Sequence, residues 1–78
     1  MTDKQIRAKL ALMTKIANEL DAEAKLRYGP DGFLFFSSEG YFHLMDGDAD
    51  PDSGSISERH EHIRFSSPSY CSMGAGAW

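Results

Sequence analysis

The 78-residue chain has a single cysteine, Cys71, so it cannot hold a disulfide of its own. That excludes the small secreted scaffolds that replace a core with bridges, and it fits a reducing compartment. Cys71 stands in Ser69-Tyr70-Cys71-Ser72, where a small packed side chain is expected rather than a nucleophile. Long apolar runs are missing as well. The longest, Phe33-Leu34-Phe35-Phe36, falls far short of the about 20 residues a membrane span needs. Lys4, Arg7, Lys9 and Lys15 interrupt the first stretch, so no signal peptide is expected. The expected location is the cytoplasm of the expressing or infected cell. The sequence also lacks a nucleophile elbow, a phosphate-binding glycine loop, a Rossmann fingerprint and a Cys-x-x-Cys pair. A non-enzyme without a cofactor is therefore expected.

Basic residues are scarce after Tyr28. Residues 1–28 carry six bases and four acids, while residues 29–78 carry two bases, Arg59 and Arg64, and eight acids. The net charge of −4 thus hides a mildly basic beginning and a strongly acidic remainder. Such a field governs solubility and the steering of partners rather than the fold. Lys4, Arg7, Lys15 and Lys25 fall close to one line of a helix and could touch phosphates, but the acidic balance argues against direct nucleic-acid binding.

What the sequence does contain begins with a helix. Thr2 and Gln5 have the spacing of a capping box. Ile6, Leu10, Met13, Ile16 or Ala17, Leu20 and Ala24 follow at helical intervals, and Leu12 widens the stripe. Gly29 and Pro30 end it, which predicts a helix over about 3–27. After Pro30 the period changes from 3.6 to 2. Phe33–Ser37 and Tyr41–Met45 are predicted strands joined by Ser38-Glu39-Gly40, and Glu58–Ser66 is a third. In that third strand Ile63 and Phe65 are expected on one face, with His60, His62 and Arg64 on the other. A short fourth strand is expected at Tyr70–Met73, before a tail at 74–78 that ends in Trp78.

The expected fold is α+β and a single domain over 1–78. One long N-terminal amphipathic helix packs on a three- to four-stranded antiparallel β-meander at about 33–73. A helix of this length is roughly 38 Å long and should overhang its sheet. The first strand is apolar on both faces, Phe33 and Phe35 against Leu34 and Phe36. Together these features predict a homodimer built on the helix, the outer sheet face, or both.

Two constellations are candidates for chemistry. Asp46, Asp48, Asp50 and Asp52 alternate as in the first half of an EF-hand loop, but Pro51 stands where that loop needs glycine and Ser57 where it needs glutamate. No tightly bound metal is expected there. With Glu58 and Glu61, these aspartates instead form an acidic surface suited to a protein partner with a basic face. His60 and His62, at a spacing of two, with His43 from the neighbouring strand, supply the alternative of a metal-binding or small metal-dependent protein. A structural or assembly subunit is a further alternative.

The helix–meander build of residues 3–73 and the acidic segment Asp46–Asp52 resemble the small accessory proteins that phages encode against host systems, of the anti-CRISPR type. The resemblance is one of build and covers no motif residue by residue. It implies a non-catalytic protein that acts by stoichiometric binding, an inhibitor of a nucleic-acid-handling host machine.

Overall fold

A computed structural model describes residues 1–47 and 60–72. The chain is α+β: helix α1 (Asp3–Tyr28) followed by strands β1 (Phe33–Phe36), β2 (Phe42–Met45) and β3 (Ile63–Ser66). The strands form one antiparallel sheet in the order β1-β2-β3, a meander. Tyr70, Cys71 and Ser72 are not in a strand, and Met73 and the 74–78 tail lie outside the described residues.

The helix begins and ends where its caps dictate. The Thr2 hydroxyl accepts from the Gln5 backbone N–H at 3.2 Å, and the Gln5 side chain accepts from the Thr2 N–H at 2.8 Å. Two orphan donors are thereby satisfied reciprocally. At the other end the Gly29 N–H donates to the Lys25 carbonyl at φ 92°, a conformation that favours a residue without Cβ. The helix has 26 residues and is about 39 Å long. Four-residue strands reach only about 14 Å.

The sheet therefore covers the second half of α1 alone. Ala24 is fully buried, and Gly32 opposite it lets the backbones approach there. Gly32 is so close that an added Cβ would collide with the Ala24 carbonyl. Around this contact the Leu34 N–H donates to Asp21 Oδ1 at 3.0 Å, and Lys25 Nζ donates to the Gly32 carbonyl at 3.0 Å. The start of β1 is thus bolted to the helix by one carboxylate and one ammonium.

Register settles which side chains share a face. Phe33 pairs with Met45, Leu34 with Leu44, Phe35 with His43 and Phe36 with Phe42. Leu34, Phe36, Phe42 and Leu44 share the helix side, where the Phe36 and Phe42 rings stack at 4.6 Å. Tyr41, His43 and Met45 share the far side with Phe33 and Phe35, as the alternation predicts. On that far side Met45 is fully buried and His43 nearly so within a single chain. Phe33 and Phe35, on the same face, are half-buried.

The third strand also departs from the sequence expectation. His60 is helical, Glu61 and His62 form a turn, and pairing starts only at Ile63. Met45 pairs with Ile63 while the adjacent Leu44 pairs with Phe65, so Arg64 is an extra residue, a β-bulge. Ile63 and Phe65 consequently accompany residues on opposite faces of β2, not one face as their spacing suggests.

Candidate functional site

Three of the polar side chains proposed for chemistry, His43, Asp46 and His62, are engaged in contacts within the chain. His43 Nδ1 lies 2.8 Å from Ser66 Oγ, its partner across the β2–β3 ladder. Burial pushes the His43 imidazolium down in pKa, nearby His60 adds to this, and Glu39 opposes it. His62 turns away from this site: its Nδ1 is 2.8 Å from Asp46 Oδ1. Arg64 Nε donates to Asp46 Oδ2 at 2.6 Å. Burial pushes the Asp46 carboxyl up, but the hydrogen bonds from His62 and Arg64 and the Arg64 charge more than reverse it. Asp46 therefore ionises below its ordinary value.

These contacts correct two sequence expectations. His43, His60 and His62 are not gathered into a metal-holding group, and among the described residues no cluster of three or more His, Cys, Asp or Glu has that arrangement. The premise that His60 and His62 project from one strand fails because neither is in the strand. Asp46, expected at the exposed end of an acidic surface, is only 19% exposed and ties the bulge to the end of β2. Glu61 is exposed, whereas Asp48, Asp50, Asp52 and Glu58 lie outside the described residues. Of the line of bases on α1, Lys25 is committed to Asp21 at 2.7 Å and to Gly32.

The surface that stands out is apolar. Ile6, Leu10, Leu12, Met13, Ile16 and Leu20 are all 40% exposed or more, on a helix that was expected to overhang its sheet. The covering sheet lies under only the Ala24 end. Beside α1 the helix-facing side of β2 and β3 is left open as a groove in two adjoining parts of about 340 and 330 Å³. Ile16, Leu20, Leu34, Phe42, Leu44 and Phe65 line it. At its rim Arg27 lies 5.5 Å over the Phe65 ring and is held by Glu23 at 2.9 Å. The sequence signal for the groove is Ile16 and Leu20 in a stripe that Leu12 widens beyond what one narrow sheet can cover.

No protein-family model matches the chain, and neither does any curated protein or solved structure. Among the described residues no helix is long and apolar enough to cross a membrane.

Proposed function

We propose that this chain is a non-catalytic interaction protein that acts by stoichiometric binding. The observation that carries the reading is the exposed apolar face of α1 continued into the groove over β2 and β3. Contiguous exposed apolar surface of this kind marks binding rather than solvation. The polar candidates point the same way, since His43 is engaged with Ser66, and His62 and Arg64 with Asp46, in structural contacts.

The acidic remainder of the chain indicates the chemistry of a partner: a protein with a basic surface, as on machines that hold nucleic acid. An acidic protein competes for such a surface, which is how an inhibitor of the anti-CRISPR type would work. With Asp46 engaged internally, the residues assigned to the partner are Asp48, Asp50, Asp52, Glu58 and Glu61.

The test is capture of host proteins by the tagged chain, followed by a variant carrying the matching amide at those five positions. Recovery of one stoichiometric nucleic-acid-handling protein is expected. The variant should bind it more weakly and with a flatter dependence on salt, at nearly unchanged melting temperature. Equal binding by the variant would remove the acidic surface from the reading, and the absence of any stoichiometric partner would remove the inhibitor.

A further inference from the structure

We infer that two copies of this chain associate through α1, antiparallel and side by side, so that each helix closes the other's groove. The inference rests on the reading of the helix as a binding surface and names its occupant. It does not involve the acidic residues assigned to a host partner.

Ile16, Leu20 and Glu23 of α1 border the groove, and Lys9 and Leu12 continue their line toward the start of the helix. The intervals are three, four, four and three, so these residues lie along one stripe of the helix. Leu12, Ile16 and Leu20 are 54%, 46% and 40% exposed in the single chain. The seam is a palindrome about Ile16: an apolar residue stands four positions away on either side, and seven positions away stand a base and an acid.

A two-fold axis through Ile16 therefore gives each of these five positions a suitable partner. Ile16 meets Ile16 of the second copy, Leu12 meets Leu20, and Lys9 meets Glu23, each of the last two pairs occurring twice. An isologous interface requires this self-complementarity. A parallel arrangement would instead stack Lys9 on Lys9 and Glu23 on Glu23.

The wider charge pattern agrees. Residues 3–15 hold four bases and one acid, while residues 16–24 hold Glu19, Asp21 and Glu23 and no base. Antiparallel helices set these opposite segments against each other, and electrostatic complementarity fixes register and orientation. Length fits too, because the half of α1 that runs beyond its own sheet is the half that reaches the partner's groove over Phe42, Leu44 and Phe65. Arg27 engages only one oxygen of Glu23, and a carboxylate has two to offer.

The experiment is light scattering on the purified full chain at micromolar concentration, with variants. Wild type is expected at twice 8.7 kDa. Ile16→Asp, which places two carboxylates on the axis, is expected at one chain mass with its helical circular dichroism intact. Lys9→Glu should weaken association at least tenfold, and Lys9→Glu with Glu23→Lys should restore most of it. In a Cys71→Ser background, Ile16→Cys should form an interchain disulfide readily and Lys9→Cys should not. A wild-type mass of one chain throughout the micromolar range would overturn the inference, whether the groove is closed from within the chain or by a foreign protein. Preferential crosslinking through Lys9→Cys would overturn it in favour of parallel helices. Host capture succeeding or failing leaves these readouts unchanged, so the two ideas fail separately.

Discussion

At the scale of single residues the fold depends on small side chains and one ordered imidazole. Gly32 approaches the Ala24 carbonyl so closely that any Cβ must displace the helix or the start of β1. Gly32→Ala should cost about 1–3 kcal/mol, as overpacking generally does, and should lower the denaturant midpoint without changing the slope. His43 presents the opposite case, a buried group that must stay neutral. Its folded pKa lies below its ordinary 6.5 because burial, with His60 adding and Glu39 opposing, disfavours the charged ring. The unfolded chain then binds more protons in the window just below pH 6.5. Stability is full above that pH and declines as pH falls toward the folded value. The melting temperature should drop on acidification through this window, and His43→Gln, which can still reach Ser66 Oγ, should flatten the drop. An equally steep profile in the variant would assign the sensitivity elsewhere.

At the scale of elements, the helix and the first hairpin were legible from local chemistry. Thr2 and Gln5 announce the start, Gly29 and Pro30 the end, and the change of period after Pro30 announces strands. The third strand was less legible for a physical reason. His62-Ile63-Arg64-Phe65 alternates perfectly on paper, but Asp46 holds both His62 and Arg64 and forces an extra residue between the Met45 and Leu44 pairs. A contact between positions that far apart in sequence leaves no local trace. It also dispersed the histidines, whose convergence assumed a regular strand. Asp46→Ala should loosen β3 from β2 at a cost of about 1–2 kcal/mol, tempered by the half-exposed Arg64. Because its carboxyl is held below the ordinary 3.8, the Asp46 contribution persists above that pH and is lost as pH falls through the folded value. The difference in stability between wild type and Asp46→Ala should accordingly shrink in strong acid, and a constant difference would rule out the ionic contribution. Periodicity likewise identified the apolar stripe of α1 but not which half the sheet would cover, since Gly32 and the Leu34–Asp21 bond make that choice.

At the scale of the whole molecule the long helix sets the shape. The Cα radius of gyration is 14.0 Å and the extents are 45 × 26 × 23 Å, against the 11–12 Å expected of a compact chain of this length. The described apolar residues that are buried are only Ala24, Leu44 and Met45, so cooperative protection within one chain is concentrated near the sheet. The first four turns of α1 have little but their own ladder to hold them, and an isolated helix of that length is marginal in water. Amide hydrogen exchange should therefore divide the helix in two. In dilute protein the backbone around Ile6 and Leu10 should exchange fast, as a locally opening unit, while the backbone around Asp21 and Ala24 exchanges only with global unfolding. On concentration into the dimer range the fast half should slow by an amount that follows the dissociation constant, because the partner binds only the ordered helix. Uniform protection along α1 at every concentration would contradict this. In the proposed dimer the overhang would make the folding of half a helix a concentration-dependent event, so that the chain's own abundance would determine how much ordered surface it presents.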